Sequence, residues 1–204
     1  VGESAYEIDL LGFRARVSGT PDLVRAAGGL TPAPPPWTVG RAADTGAAAG
    51  APATPQTSFQ LQWITTQGRG RGRVRLTQDG LALLPDGGRD EALATLLWAI
   101  NSAAIRHLRE RYLLFHAGVV ARDGQGFLLP APAGEGKTTL VAGLLGAGFA
   151  YLGDDIAAVE RETLTLLPFA KSLALKAGAV RALARHLPCL GPALPRLRAG
   201  GETV

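Results

Sequence analysis

Gly126-Phe127-Leu128-Leu129-Pro130-Ala131-Pro132-Ala133-Gly134-Glu135-Gly136-Lys137-Thr138-Thr139-Leu140 is the stretch on which the reading of this chain turns. Its first five residues read as a short buried strand. The run from Thr139 to Leu145 reads as a helix, with Gly146 and Gly148 as stop signals. Between them, Ala131 to Thr138 has the spacing [A/G]-x-x-x-x-G-K-[S/T] of a phosphate-binding loop, with Ala131 where the first glycine commonly stands. Glycines let the backbone curl so that successive amides, here those of Ala133, Gly134, Glu135 and Gly136, point inward at phosphate oxygens. Lys137 is one of three lysines among 21 basic residues, and it stands where an ammonium neutralises β and γ phosphates. Thr138 and Thr139 follow in the first turn of a helix whose positive end adds to the same anion site. An Ala/Gly-rich turn without a ligand is the plain alternative.

Downstream, Phe149-Ala150-Tyr151-Leu152 reads as the next strand and runs into Gly153-Asp154-Asp155. In a parallel α/β sheet the carboxyl ends of neighbouring strands lie side by side, and ligands bind there. The acidic pair is therefore expected beside the terminal phosphate. Phosphoryl transfer needs Mg²⁺ across the β and γ oxygens and a carboxylate to take the attacking hydroxyl's proton. Thr138, Asp154 and Asp155 are the candidate metal ligands, and Asp154 and Asp155 the candidate bases. Neighbours on a regular strand face opposite ways, so one aspartate is expected to serve both tasks while the other is solvated or caps a turn.

Upstream, Leu113 to Val120 reads as one strand, turned back by Asp123-Gly124 into the strand that feeds the loop. It carries His116. A lone histidine among apolar neighbours is ordinarily a core residue, but at a sheet edge facing nucleotide it is a candidate to orient an aspartate. Beyond the acidic pair, Ile156–Val159 and Thr163–Leu167 read as a hairpin, Leu173–Lys176 as a strand, and Val180–His186 as the start of a helix. Lys176, ending that short apolar strand, is a candidate phosphate cation. Lys171 reads as a solvated surface residue.

The N-terminal half is different in texture. Residues 4–18 read as a hairpin with Gly12 near its turn, and Pro21 to Ala27 as a short helix ended by Gly28-Gly29. Residues 31–57 are almost all Pro, Ala, Gly and Thr and read as a flexible loop. Phe59–Ile64 alternates as a half-buried strand, with Arg73–Leu76 as its partner and Gly80–Leu84 following. Asp90 caps a helix to about Arg111, with Leu93, Leu96, Leu97, Ile100, Ala104 and Leu108 on one face. The expected class is α/β: a strand-rich module over residues 1–89, then a nucleotide-binding core over 90–204. The core looks short for a complete nucleotide-binding sheet, so further C-terminal structure is expected.

Composition narrows the function classes. Hydrophobic residues make up 47% and charged residues 19%, as in a folded globular protein. No apolar run approaches the roughly 18 residues of a membrane span, no signal-peptide pattern opens the chain, and the single cysteine, Cys189, gives no disulfide framework. A cytoplasmic protein with no membrane partner is expected. The net charge of +4 suits an anionic ligand such as a nucleotide. The Gly68-Arg69-Gly70-Arg71-Gly72-Arg73 tract lacks interleaved aromatics and reads as a hairpin loop, so no nucleic acid is expected. His107 and His186 have no zinc-ligand spacing with Cys189.

Taken together, Phe115-His116-Ala117-Gly118-Val119-Val120, the Ala131–Leu140 loop, Gly148 to Asp155, and Leu167-Pro168-Phe169 through Leu175-Lys176 resemble the HPr kinase/phosphorylase-like serine kinases. The likeness is closest to the smaller kinases of peptide-modification and lasso-peptide systems, and it covers about residues 110–178. The resemblance implies a P-loop core of the HPr kinase C-terminal type, with ATP and Mg²⁺ as cofactors. It implies transfer of the γ-phosphate to a serine of a protein or peptide partner. It matches His116 to the family's strand histidine, Lys137 and Thr138 to its loop lysine and hydroxyl, and Asp154-Asp155 to its activating aspartate. The stretch that contributes to phosphorolysis in HPr kinases is not recognisable, so a kinase without the reverse reaction is expected. A homo-oligomer is compatible with the family, although its hexamer is not carried over. Two alternatives stand beside this reading: a small-molecule kinase of the shikimate or adenylylsulfate type, and a module that binds ATP without turnover.

Overall fold

The computed structural model describes residues 2–30, 54–64, 72–169, 171–184, 198–199 and 202–203. Most of the expected 31–57 loop, the Arg/Gly tract up to residue 71, His186 and Cys189 lie outside the described residues. The protein is mixed α/β and divides into two compact units, the first holding the described residues up to His107 and the second residues 108–184. The units thus divide at the end of a long helix, and not at the 89/90 boundary drawn from the sequence.

The first unit opens with a hairpin of β1 (Ser4–Leu10) and β2 (Phe13–Gly19), paired from Ser4↔Gly19 to Leu10↔Phe13. Leu11 and Gly12 make its two-residue turn, both at positive φ (55° and 90°), the geometry whose twist matches the strands. Helix α1 (Pro21–Gly28) has proline in its first turn, where a missing amide costs nothing, and buries Leu23, Val24 and Ala27. It leads across to β3 (Thr57–Ile64), which lies parallel to β2 with Val17 opposite Phe59. Strands β4 (Arg73–Gln78) and β5 (Leu81–Gly87) extend the sheet antiparallel, giving the order β1-β2-β3-β4-β5. Alternation puts Phe13, Ala15 and Val17, Phe59 and Leu61, and Val74 and Leu76 on the buried face. Helix α2 (Arg89–Leu108) follows, burying Ala92, Leu93, Leu96, Ala99, Ile100, Ala103 and Ala104 at helical spacing. Its His107 ring meets Phe13 at 5.7 Å.

The second unit contains two small sheets. The segment expected as one strand from Leu113 to Val120 is broken at His116 into β6 (Tyr112–Phe115) and β7 (Ala117–Arg122). The break exists because the halves have different partners. Strand β6 pairs with β10 (Ala157–Glu160), which pairs with β11 (Leu166–Leu167). Strand β7 turns through Asp123-Gly124, both at positive φ, into β8 (Gln125–Pro130), and pairs on its other side with β9 (Ala150–Gly153). Helix α3 (Lys137–Gly146) packs on β7, and α4 (Ala177–Leu183) contacts α3.

This order corrects the expected parallel sheet. The loop strand β8 and the aspartate strand β9 are not neighbours; both are antiparallel to β7, which lies between them. The tight turn at residues 123–124 forces the β7–β8 pairing and takes the central place. Because both flanking strands oppose β7, they run the same way as each other. The carboxyl ends of β8 and β9 and the start of β7 therefore share one edge. Residues 173–176 are not a strand either. Leu173 packs on the cluster of Val120, Val141 and Tyr151, so its apolar character reflects core contact and not ladder pairing. No described helix is long and apolar enough to cross a membrane.

Candidate functional site

Three chain segments converge on the shared edge of the β8-β7-β9 sheet. The loop leaves β8, passes Gly134 and Gly136 at φ of +90° and +84°, and enters α3 with Gly136 at its N-cap. A Cβ at either glycine would meet nothing within 4 Å, so the left-handed backbone, and not crowding, is what calls for glycine. The first intrahelical bond runs from Leu140 N–H to the Gly136 carbonyl at 2.9 Å. The amides of Lys137, Thr138 and Thr139 precede it, without acceptors in the helix and without a side-chain cap. Ala133 and Glu135 are exposed on the loop. Beside it opens a cleft of about 250 Å³ walled by Leu128, Leu129, Pro130 and Leu140, with Glu135 and Lys137 also lining it.

Lys137 is buried, unlike an ordinary lysine, and its ammonium has two partners. It donates to His116 Nε2 at 2.9 Å and lies 3.5 Å from Asp155 Oδ1. His116 sits at the bend between β6 and β7, and its Nδ1 is 2.9 Å from the Asp155 carbonyl oxygen. An ammonium only donates and a carbonyl only accepts, so the imidazole carries its proton on Nδ1. The histidine thus ties the loop lysine to the backbone of the acidic pair.

The two aspartates lie just past the end of β9, where the strand's alternation no longer applies. Asp155 has φ of 67°. That left-handed step turns both side chains to the same site, against the expectation that they face opposite ways. Asp154 is 1% exposed; its Oδ2 accepts from the Thr138 hydroxyl at 2.8 Å, and its Oδ1 has no protein partner. Burial pushes the Asp154 carboxyl above its usual range, against the pull of the Thr138 bond, and the charge of Asp155 adds to the rise. Burial also works on Asp155, but there the hydrogen bond and charge of Lys171, with Lys137 behind them, win and hold the carboxyl below its usual value. Lys171 Nζ donates to Asp155 Oδ2 at 2.5 Å.

The structure therefore brings together His116, Lys137, Thr138, Asp154 and Asp155. Of the other two lysines, Lys176 is exposed at the N-cap of α4, and Lys171 reaches Asp155. Lys171 carried no spacing signal of its own. Tyr151, also not anticipated, is two strand positions before Gly153 and donates its hydroxyl to the Lys171 carbonyl at 2.6 Å. Gly118 is the third addition. A Cβ there would lie 2.4 Å from Val141 Cγ2 and 3.4 Å from Lys137 Cγ, so glycine lets α3 sit close on β7.

The donor set fits a hard divalent cation bound along with phosphate. Asp154 Oδ1 is a buried oxygen lacking a donor, and the Thr138 hydroxyl lies against the same carboxylate. No group of three or more His, Cys, Asp or Glu side chains able to hold a metal is found among the described residues. A cation here would take its remaining ligands from phosphate and water. Comparison with known proteins found no family model, curated protein or solved structure that matches the chain.

Proposed function

We propose that this chain is an ATP-dependent kinase that transfers the γ-phosphate to a serine hydroxyl of a protein or peptide, using a P-loop core like that of the HPr kinase-like enzymes its motifs resemble. The observation that carries the proposal is the Thr138–Asp154 hydrogen bond at 2.8 Å, with an unpartnered carboxylate oxygen, beside the buried Lys137 at a helix N-terminus. A structural salt bridge does not need a free buried oxygen; a site for a metal-bound polyphosphate does.

In this reading the amides of the loop and of the first turn of α3 hold the phosphates, and Lys137 lies against the β and γ oxygens. His116 aims the ammonium. Thr138 and Asp154 would hold Mg²⁺, which neutralises charge on the β and γ oxygens. Asp155 is the base: its side chain is 38% exposed, whereas Asp154 is enclosed and engaged with Thr138. The serine Oγ forms a bond to the γ-phosphorus while the bond to the β–γ bridging oxygen breaks. The hydroxyl proton passes to Asp155, and ADP leaves with the bridging oxygen.

Incubating the protein with labelled ATP, Mg²⁺ and serine-containing peptides, then locating phosphate by mass spectrometry, tests the proposal. Phosphoserine on a peptide is the expected result. Label confined to a small metabolite would replace it with the small-molecule kinase, and ATP binding without any transfer would replace it with the non-catalytic module.

A further inference from the structure

We infer that Lys171 is a second phosphate-directed cation, one that acts on the phosphoryl group during transfer and not on the bound nucleotide. The inference rests on the phosphotransfer reading above and starts from how this lysine is held. Phe169, with no exposed surface, bridges in parallel to Gly153, and its amide donates to the Leu152 carbonyl at 2.8 Å. The Tyr151 hydroxyl then donates to the Lys171 carbonyl at 2.6 Å. Burial, reinforced by the charges of Asp154 and Asp155, raises the Tyr151 hydroxyl well above its ordinary range and keeps it a donor. All these anchors belong to β9, the strand that ends in the two aspartates. The backbone of Lys171 is tied to the strand that carries the acidic pair.

From that fixed origin the side chain, 22% exposed, reaches Asp155 Oδ2 at 2.5 Å, while Lys137 approaches Oδ1 at 3.5 Å. One carboxylate stands between two ammonium groups. A surface lysine needs neither an anchored backbone nor a shared carboxylate. The two cations also come from different segments and meet different oxygens: Lys137 from the start of α3 onto Oδ1, Lys171 from beyond β9 onto Oδ2. In a loose transition state, charge spreads over the equatorial oxygens of the group in flight. As that charge develops on the group in flight, it competes with Asp155 for Lys171. Its ammonium then pairs with the phosphoryl oxygens. No bond forms to Lys171, and the phosphorus still passes from the bridging oxygen to the serine.

The test sets a ground-state mimic against a transition-state mimic in the full chain. Calorimetry with Mg²⁺ measures binding of AMP-PNP and of ADP with aluminium fluoride to wild type, Lys171→Met and Lys171→Arg. The Met variant should bind AMP-PNP within about twofold of wild type but ADP–aluminium fluoride at least about tenfold more weakly. The Arg variant should recover most of that loss. Equal losses for both ligands, no loss for either, or no recovery in the Arg variant overturns the inference. If Lys171→Met melts below wild type, Lys171→Gln takes its place with the same expected split. Wild type that binds neither ligand overturns the phosphotransfer reading itself. Wild type that binds both, with the lysine variants unaffected, removes only the role of Lys171.

Discussion

A methyl group at position 118 would fall 2.4 Å from Val141 Cγ2, with Lys137 Cγ the next contact. The close seat of α3 on β7, and so the aim of Lys137, depends on there being no side chain there. Gly118→Ala should cost about 1–3 kcal/mol, the range for overpacking a filled site, and weaken nucleotide binding as well. Urea unfolding and a binding titration check this; an Ala variant unchanged in both would mean the helix has room to shift. The aspartates make a sharper contrast. Asp155→Asn should leave Mg²⁺-ATP binding near wild type while lowering kcat by about 10²–10⁴-fold, the contribution of a positioned base. Asp154→Asn should instead raise the Mg²⁺ concentration needed for ATP binding. Full activity in Asp155→Asn would remove the proposed base. Gly118 and Lys171 were not legible as site residues in the sequence, because their importance comes from what a distant segment brings against them.

Elements show where local signals were enough and where they were not. The Asp123-Gly124 hairpin turn, one of three two-residue turns of positive φ among the described residues, was legible because an Asp-Gly pair accepts that backbone cheaply. Gly19 was not. At φ of +139° its missing Cβ makes room for the Leu61 carbonyl, which a β-carbon would approach to 1.8 Å. Asp79 ties its turn to the start of β3, accepting from the Ser58 amide and the Thr57 hydroxyl, both at 2.7 Å, and from the Ser58 hydroxyl at 3.1 Å. Burial works to raise its carboxyl, but these donors hold it below the ordinary value of 3.8. The folded state therefore binds the proton less tightly than the unfolded chain. That contribution is present above the ordinary value and is lost as pH falls through it toward the lower folded value. Asp79→Asn keeps the backbone tolerance and an acceptor but removes the charge. It should cost under about 1 kcal/mol at neutral pH, since the group is exposed and screened. The difference from wild type should fade in unfolding curves taken below the ordinary carboxylate range. A constant difference across pH would mean the turn does not favour the ionised form.

At the scale of the molecule, ligand and fold are linked. A nucleotide that binds only the folded second unit, present at about a hundred times its Kd, adds about 2.7 kcal/mol to that unit's stability. Mg²⁺-ATP should accordingly raise the melting temperature and slow amide exchange across β7, β8, α3 and β9. Lys137→Ala should abolish both effects; a shift that survives would detach the effect from the loop. The sequence by itself determined the α/β class and the strand–loop–helix at residues 126–145, with its glycines set around Lys137. Those features are local: periodicity, turn chemistry and the spacing of glycines around a lysine act within a few residues. Only the tertiary structure decided that β7 lies between β8 and β9, that the chain bends at His116, and that Lys171 reaches Asp155. Strand order and side-chain partners depend on pairing between segments far apart in the chain, and no short stretch records which partner it will meet.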